Sequence, residues 1–264
     1  MKIAVVTGAS SGMGRKFCEI LDGEGLDEIW GIGLGKEKME EVKASLKTPF
    51  RFFDMDLTVE KNLIYYKNAL AESNPEIKWL VNASGFGKFG RHDEIPVETS
   101  VNMIDLNCGA LVYMTETSIP YMAKGSKIVQ IASVAGFQPI PYIAVYGATK
   151  AFVVSYSRAI REELKPKGIS VTCVCPFWTK TEFFDRAKKI NSKTSNEVVT
   201  KYVVMYDPQK VIKKAYRDAR KGKAVSIYGF VARSQVRLVK CMPTQLTMNV
   251  WLGQQKLKQK YKGK

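Results

Sequence analysis

Residues 3–14 read IAVVTGASSGMG, an apolar run followed at once by a glycine-rich turn. The apolar run Ile3–Val6 predicts a buried strand, and an amphipathic helix is predicted from about Met13 to Asp22. The glycines let the backbone turn tightly and approach a ligand, and the start of the helix presents free N–H groups and a positive dipole end to a phosphate. A strand before the turn and a helix after it favour a dinucleotide-binding loop over an ordinary glycine-rich turn.

Short apolar runs and helical patterns alternate along the rest of the chain, which predicts an α/β fold with a doubly wound parallel sheet and helices on both faces. No internal repeat or linker interrupts the alternation, so we expect one domain, residues 1–230, followed by a basic, partly apolar C-terminal tail, residues 231–264. Further strands are expected at 28–33, 50–54, 77–81, 127–132, 170–174 and 224–228. Further helices are expected at 36–46, 59–71, 97–123 and 208–220, with another ending near 164, and residues 182–206 are expected to form a mobile excursion of loop and helix.

The formal net charge of the chain is +16, and most of the excess lies at the C-terminus. Residues 221–264 contain ten Lys or Arg and no Asp or Glu, so this segment holds +10 of the +16. A tail in which apolar and basic residues mix could lie on an anionic membrane surface, or it could pack against the domain or a second subunit with its lysines in water. We favour packing, with peripheral membrane contact as the alternative, and we expect no nucleic-acid partner.

The cysteines and the single histidine restrict the kind of site that the chain can hold. The five cysteines show no metal-binding spacing, and a lone His92 supports neither a His-based metal site nor a Ser–His–Asp triad, so no metal is expected. Cys173 and Cys175, two apart in a predicted strand, are expected to point to opposite faces and not to pair. A reduced, cytoplasmic setting fits these thiols, and no apolar run has the length of a signal peptide core or a membrane span.

Tyr146 and Lys150 are four residues apart in a predicted helix and therefore share one face. Lowering the pKa of a tyrosine from about 10 to near neutrality takes about 4 kcal/mol. A lysine charge roughly 5 Å away supplies about 3 kcal/mol at an effective dielectric constant near 20. A further positive group, such as an oxidised nicotinamide ring, would close the difference. A chance pair on a solvated helix is the alternative interpretation.

Other strand ends carry candidate contacts for a dinucleotide. Residues 34–36 read LGK, without the acidic residue that would bind a ribose 2′-hydroxyl, and Lys36 is the cation nearest to a 2′-phosphate. Asp56 could reach the adenine end or cap the following helix. Small residues at Asn82–Gly85 would let a cofactor cross the strand end, and Asn107 marks a kink or a water site inside a helix.

Taken together, these residues resemble the short-chain dehydrogenase/reductase family, in its single-domain Rossmann-fold branch. The resemblance covers about residues 1–230, and its motifs follow the family's order. They are Thr7-Gly8 with Gly12 and Gly14, Asp56, Asn82–Gly85, Asn107, Ser133, Tyr146 with Lys150, and Pro176–Thr181. Each motif is weak alone, but their joint occurrence, with Ser133 thirteen residues before Tyr146, is specific.

The resemblance implies a catalytic tetrad of Asn107, Ser133, Tyr146 and Lys150. Tyr146 would protonate a carbonyl oxygen during reduction, Ser133 would position that oxygen, and Lys150 would lower the pKa of Tyr146 and hold the nicotinamide ribose. Asn107 would hold a water that joins Lys150 to solvent. The implied cofactor-binding residues are Gly8, Ser10, Ser11, Gly12, Met13, Gly14, Lys36, Asp56, Leu57, Asn82, Ala83, Ser84, Tyr146, Lys150, Pro176, Thr179 and Thr181.

The chain departs from the family pattern in three places. Ser84 stands where alanine is common, and Phe177 replaces a glycine, which puts an aromatic ring near the nicotinamide pocket. Residues 34–36 lack the arginine of many NADP-dependent members, as well as the acid that NAD binding favours. The absence of an acid leans toward NADP(H) and leaves NAD(H) open.

Aromatic residues after the strands suggest a bulky hydrophobic substrate, such as a hydroxysteroid or a bile acid, although each could also be a plain core residue. The set is Phe86, Phe137, Tyr142, Phe177, Trp178, Phe183 and Phe184. The predicted function is thus interconversion of a secondary alcohol and a ketone with NAD(P)(H). A 3-ketoacyl thioester reductase of lipid metabolism and a non-catalytic, cofactor-binding or membrane-associated scaffold are the alternatives. The family also implies a homodimer or homotetramer built on the long helices around Asn107 and Tyr146.

Overall fold

A computed structural model describes residues 1–188 and 198–257 of the protein. Within these residues a parallel sheet has the strand order β3-β2-β1-β4-β5-β6-β7. The strands are β1 (Lys2–Thr7), β2 (Glu28–Gly33), β3 (Phe50–Asp54), β4 (Glu76–Asn82), β5 (Lys127–Ile131), β6 (Ser170–Val174) and β7 (Val225–Ser226). Helices cover both faces, so the predicted α/β doubly wound fold is confirmed.

The helices that the argument uses are numbered in chain order. They are α1 (Gly12–Leu21), α2 (Lys36–Ser45), α3 (Glu60–Ser73), α4 (Val97–Ile104), α5 (Leu111–Ser118), α6 (Ala144–Leu164), α7 (Phe183–Lys188), α8 (Pro208–Arg220), α9 (Phe230–Cys241) and α10 (Thr244–Gln254).

The central strands are apolar on both faces because a helical layer covers each face. In β1, Ile3 and Val5 belong to one hydrophobic cluster, and Ala4 and Val6 belong to the cluster on the opposite face. This division follows the period of two along a strand. The short apolar runs that predicted the strands are therefore a direct consequence of burial from both sides.

The strand order reverses at β1, which pairs with β2 on one side and β4 on the other. Open α/β sheets bind ligands in the crevice at such a reversal, beyond the carboxyl ends of the strands. Here the Thr7 hydroxyl joins the two loops, since its Oγ1 accepts hydrogen bonds at 3.0 Å from the backbone N–H groups of Ala83 and Ser84. The crevice therefore lies between the glycine-rich turn and the segment after β4.

The predicted helix over residues 97–123 is interrupted. A wider π-helical turn at Asp105–Ala110 separates α4 from α5, and a 3-10 turn at Ile119–Tyr121 follows. Asn107 lies inside the π-helical turn, where the amide bonds outside the helix rather than within it. The expected kink at Asn107 is therefore real, but it is a change of helix type and not a simple bend.

Three smaller expectations need correction. The last strand has two residues, not five, because it pairs with β6 only at Val225 and Ser226. Cys173 and Cys175 do not point to opposite faces: residues two apart on a strand share a face, and their sulfur atoms are 3.6 Å apart. Of the excursion predicted at 182–206, residues 189–197 lie outside the described residues, and the part before them forms α7.

The C-terminal segment packs on the rest of the protein as α9 and α10. Trp251 donates a hydrogen bond from Nε1 to the Pro141 carbonyl at 3.0 Å, and the Gln255 side-chain oxygen accepts from the backbone of Thr200 and Lys201. Packing, the favoured alternative for the tail, is thus what the described part shows; the lysines at 258–264 lie outside it. No described helix is long and apolar enough to cross a membrane.

Candidate active site

Ser133 and Tyr146 meet at the carboxyl end of β5. Ser133 follows that strand and caps a 3-10 turn, where its Oγ accepts a hydrogen bond at 3.1 Å from the backbone N–H of Ala135. Tyr146 lies in the first turn of α6; burial raises the pKa of its phenol, and a hydrogen bond with Ser133 partly opposes that rise. Both side chains line the same cavity. A hydroxyl and a phenol are therefore directed together at one point of the cavity.

Lys150 lies one turn beyond Tyr146 and is buried, with 5% of its surface exposed. Its Nζ donates a hydrogen bond to the Ile131 carbonyl at 2.8 Å and lies 5.7 Å from the centre of the Tyr146 ring. Burial lowers the pKa of Lys150 to about 8, and the nearby thiol of Cys108 opposes that change. A buried lysine with a pKa near 8 can exchange a proton close to neutral pH.

The pKa of Tyr146 moves opposite to the expectation from Lys150. Burial raises it to about 12, and this effect outweighs the hydrogen bond from Ser133. The interaction with the Lys150 charge is only one contribution to this pKa. Taking a phenolate out of water costs free energy, so burial favours the neutral phenol. In this structure Tyr146 is therefore a proton donor, and forming the phenolate needs more positive charge nearby than Lys150 provides.

Asn107 clamps the segment after β4 against α6. Its Nδ2 donates to the Phe86 carbonyl at 2.8 Å and to the Thr149 hydroxyl at 3.0 Å, while its Oδ1 accepts from the Phe86 N–H at 3.0 Å. The Thr149 hydroxyl in turn donates to the Tyr146 carbonyl. Asn107 thus belongs to the site by position, and the predicted water relay through its amide stays a prediction.

The glycine-rich turn forms a cradle that side chains would fill. A Cβ on Gly14 would lie 2.2 Å from the Gly8 carbonyl oxygen, and a Cβ on Gly8 would lie 3.0 Å from the backbone of Ala83. Ser11 caps α1 without a side-chain hydrogen bond, so the first N–H groups of the helix keep their capacity for a ligand. The turn that contains Ser10, Gly12 and Met13 therefore fits the pyrophosphate of a dinucleotide.

Asn82, Ala83 and Ser84 stay the predicted border of a dinucleotide after β4, and the Asn82 side chain also has a structural role. The Asn82 side chain is buried, and its Nδ2 donates at 3.0 Å to Thr115 and to Gln130. This amide joins β4 to β5 and α5, so its contribution is to hold the strand end in place. The sequence prediction did not distinguish that internal role from direct contact.

The predicted adenosine contacts are only partly directed at the crevice. Leu57 is buried in the core, and Asp56 accepts hydrogen bonds at 2.8 Å from the backbone N–H and the hydroxyl of Thr58. Asp56 does not cap α3, whose N-cap is Val59. Lys36 opens α2 and is exposed. Lys36 therefore stays the predicted contact for a cofactor 2′-phosphate. Leu57 could contact a cofactor only through its backbone, because its side chain is buried.

An ion pair near the start of α2 was not predicted from the sequence. Lys38 on α2 and Glu182 before α7 are 3.1 Å apart, although they are 144 residues apart in the chain. The pair connects the helix after β2 with the segment after β6. No local pattern signals such a contact, because it depends on two distant loops meeting at one edge of the sheet.

A cavity of about 720 Å³ opens beside Ser133 and Tyr146. Its wall is mostly apolar and aromatic, as ligand cavities usually are. The predicted site residues that line it, besides those two, are Met13, Pro176, Phe177, Trp178, Thr179, Thr181, Phe183 and Phe184. Phe183 also packs on Tyr146, with ring centres 5.3 Å apart. The segment after β6 and the start of α7 therefore form one side of the cavity.

Three predicted substrate contacts do not line this cavity. Phe86 bonds Asn107 through its backbone, and the Phe137 ring lies under the side-chain cations of Arg158 and Lys240. Tyr142 packs in the hydrophobic cluster that also forms part of the cavity wall. The rings of Phe137 and Tyr142 are thus used in packing, which is the alternative that the sequence left open.

The C-terminal helices contribute a cavity wall whose residues the sequence prediction did not name. One face of α9 and one of α10 line the cavity, with Ser234, Gln235, Thr247 and Gln254 as polar groups among apolar ones. Phe89 takes the place expected for Phe86. The apolar spacing in the tail was visible in the sequence, but which surface it covers depends on the fold of the whole chain.

Comparison with known proteins agrees with this geometry. Residues 2–192 match the family model described as short chain dehydrogenase. The chain is 31% identical over 205 residues to an uncharacterized oxidoreductase of Staphylococcus epidermidis, covering 75% of this chain and 89% of that protein. It is 34% identical over 209 residues to a very-long-chain 3-oxoacyl-CoA reductase of Rattus norvegicus, covering 76% and 67%.

A solved structure shows the same fold. The short-chain dehydrogenase from Sphingobium yanoikuyae in complex with NADPH superimposes with a TM-score of 0.75 at 25% identity, covering 92% of this chain and 96% of that chain. The Ser133–Tyr146–Lys150 arrangement and the glycine cradle lie within the part of the chain that the family model matches. The chain therefore belongs to the short chain dehydrogenase family of NAD(P)-dependent oxidoreductases.

Proposed function

We propose that the protein interconverts a secondary alcohol and a ketone on a bulky hydrophobic substrate. The observation that carries the proposal is the convergence of the Ser133 and Tyr146 hydroxyls on the wall of an otherwise mostly apolar cavity. An apolar cavity with a few convergent polar groups suits a large hydrophobic ligand that is oriented through one oxygen. A hydroxysteroid or a bile acid has this character.

Each of the four predicted catalytic residues has a separate role in the proton transfer. In reduction, Tyr146 donates its proton to the carbonyl oxygen, and a neutral phenol with a pKa of about 12 is in the correct protonation state over the whole physiological range. Ser133 hydrogen-bonds the same oxygen and stabilises the charge that develops there. Lys150, whose pKa is about 8, then returns a proton toward Tyr146. Asn107 holds α6 and the segment after β4 in register for this transfer.

The cofactor supplies the hydride, and the cradle at Gly8–Gly14 would hold its pyrophosphate. We favour NADP(H), because α2 begins with Lys36 and no acidic residue lies between β2 and that lysine. The Sphingobium relative is a complex with NADPH, which supports a nicotinamide cofactor without deciding between NADP(H) and NAD(H). NAD(H) remains the alternative, and Kd values for both cofactors measured on one preparation decide between them.

Reduction of a 3-ketoacyl thioester is the second candidate function. It is favoured by the similarity to the Rattus norvegicus very-long-chain 3-oxoacyl-CoA reductase, and the surplus of basic residues would suit the phosphates of a coenzyme A ester. The cavity volume accommodates either a fused-ring ketone or a folded acyl chain. Turnover of a panel of steroid ketones, bile acids and β-ketoacyl thioesters, each with NADH and NADPH, separates the two classes.

Tyr146→Phe tests the proposed chemistry directly. The substitution removes the donated proton and keeps the ring, so turnover should fall by on the order of 1,000-fold while the cofactor Kd stays unchanged. Phe184→Tyr adds a hydroxyl to a different ring of the cavity and serves as a control for polarity alone. Undiminished turnover in Tyr146→Phe would rule out the assigned role, and a wild-type protein inactive on the whole panel would favour the non-catalytic scaffold.

The assembly that we favour is a homodimer or homotetramer formed through α6 and the adjoining face of α4 and α5. Four small residues of α6 are exposed in the single chain and would permit close approach of a second copy. They are Ala148, Ala151, Ser155 and Ala159.

A further inference from the structure

The mouth of the cavity is surrounded by exposed apolar side chains. Five residues line the cavity and are also exposed to solvent, with exposed fractions between 36% and 75%. We call them the rim: Val203, Phe230, Val231, Leu238 and Val250. Isolated exposed apolar residues need no explanation, but a ring of them around the opening of an apolar cavity marks an interaction surface.

Basic side chains flank the rim on α9. Arg233 and Arg237 follow Phe230 by three and seven residues, so they lie on the same side of the helix as that ring. Both are exposed, and neither forms an ion pair with any described residue. Neither α9 nor α10 contains Asp or Glu. The surface around the mouth thus combines hydrocarbon with positive charge.

We propose that the rim and its basic flank dock on an anionic lipid bilayer, with the mouth of the cavity facing the membrane. Apolar side chains would enter the headgroup region, while Arg233 and Arg237 would contact lipid phosphates, as in interfacial amphipathic helices. The docking surface stands independently of the proposed reaction. If the proposed function also holds, a hydrophobic ketone would pass from the bilayer into the cavity without crossing water.

A second copy of the chain fits this surface less well than a bilayer does. A two-fold interface through the rim would place α9 close to the same helix of its partner, and the like charges of Arg233 and Arg237 would then repel each other. An acidic soluble protein would satisfy the charges, but it would leave unexplained a ring of hydrocarbon around an open apolar cavity. Lipid satisfies both features at once.

Flotation of the full chain with vesicles tests the proposal. Wild-type protein should float with phosphatidylcholine vesicles that contain one-third phosphatidylglycerol, and much less with phosphatidylcholine alone. Arg233→Gln with Arg237→Gln should lower partitioning by on the order of 20-fold. Phe230→Ser with Leu238→Ser should remove the binding that survives high salt, because salt screens only the charges.

The control pair is Ile64→Ser with Val97→Ser, which alters side chains on α3 and α4 that are 45% and 67% exposed. The control should float like wild type. Hydrogen exchange of the wild type gives a measurement that needs no variant: vesicles should protect amides in residues 230–257 and not in α3 or α4. Protection located elsewhere, absence of flotation, or equal loss in the rim and control pairs overturns the proposal. A rim pair that converts an oligomer to a smaller species without vesicles also overturns it, in favour of self-association.

Discussion

The Asn107 side chain leaves no space for a side chain at position 85, and Lys150 lies beside it at ordinary contact distance. A Cβ added to Gly85 would lie 2.8 Å from Asn107 Oδ1 and 3.5 Å from Lys150 Nζ. The amide cannot move aside easily, because Phe86 and Thr149 hold both of its ends. A methyl group here therefore acts on the tetrad without replacing any member of it.

We expect Gly85→Ala to lower the free energy of unfolding by about 1–3 kcal/mol through overpacking. Displacement of Asn107 next to Lys150 should lower kcat by on the order of 100-fold. Gly109→Ala is the matched control, since Gly109 lies in the π-helical turn that contains Asn107 and its Cβ would meet nothing within 4 Å. Urea unfolding and steady-state kinetics measure both effects. Equal kcat values in the two variants would show that the reaction does not depend on the close packing around Gly85.

The buried ammonium of Lys150 makes stability depend on pH. Its pKa is about 8 in the folded protein and about 10.5 when unfolded, so the unfolded chain binds more protons between these values. Stability contributed by this group is therefore low at neutral pH and rises as the pH increases through that window. Between pH 7 and 9.5 the gain is about 2 kcal/mol.

Comparison of wild type with Lys150→Met isolates this contribution, because other titrating groups are shared. The difference in free energy of unfolding between the two proteins, measured by urea titration at several pH values, should change in favour of wild type as the pH rises. Tyr146 affects stability only at higher pH. Because its pKa is raised to about 12 in the folded protein, its contribution to stability falls above about pH 10. A difference that is flat from pH 7 to 9.5 would show that Lys150 is solvated.

At the scale of the elements, α10 is joined to the loop before α6 by one large side chain. Trp251 is buried, donates to the Pro141 carbonyl at 3.0 Å and stacks near Trp178 with ring centres 6.4 Å apart. We expect Trp251→Ala to cost about 3–5 kcal/mol and to raise KM, because the cavity loses part of its wall. Trp251→Phe keeps most of the volume and loses the hydrogen bond, at about 1 kcal/mol.

Denaturant unfolding and proteolysis within residues 244–257 measure whether α10 belongs to the cooperative core. A cost under about 1 kcal/mol for Trp251→Ala would show that the helix folds on the surface without supporting it. The Phe variant serves as the control for volume. A KM that rises equally in both variants would instead assign the effect to the hydrogen bond with Pro141.

The sequence predicted the strands well because burial on both faces produces continuous apolar runs, as in Ile3–Val6. Spacing placed Tyr146 and Lys150 on one face of a helix, and the family resemblance added Ser133 and Asn107 to them; the catalytic roles of these four residues stay predictions. The sequence prediction failed where an element depends on a distant partner. The strand at Val225 is only as long as its pairing with β6, and the tail forms a cavity wall only because the mouth lies beside it.

The pKa values and the directions of the aromatic side chains were also hard to predict from the sequence, because they too depend on distant parts of the chain. The pKa of Tyr146 depends on how much protein surrounds the phenol, and no spacing rule contains that quantity. Phe137 follows a strand, as cavity residues do, but its ring packs in the clusters beside the cavity. A pattern can locate a residue at the correct edge of the sheet without fixing the direction of its side chain.

At the scale of the whole molecule, α4 and α6 expose an apolar face that is distinct from the rim. Val101 and Ile104 on α4 and Phe152 on α6 are large exposed apolar residues, and Phe152 also lines a groove with Val112 and Tyr113 of α5. In the proposed dimer through this face, two-fold symmetry places every substituted residue at the interface twice, once from each subunit.

Phe152→Glu should therefore introduce two like charges into a contact that is otherwise apolar, and raise the dimer Kd by on the order of 100-fold or more. Sedimentation velocity over a range of concentrations measures the change, and Ile64→Glu, an exposed residue of α3, is the matched control that should leave the dimer intact. Because Phe152 lies outside the cavity, Phe152→Glu should keep the cofactor Kd of wild type in the monomer. A wild type that sediments as a monomer, or two glutamate variants that dissociate alike, would contradict assembly through α6.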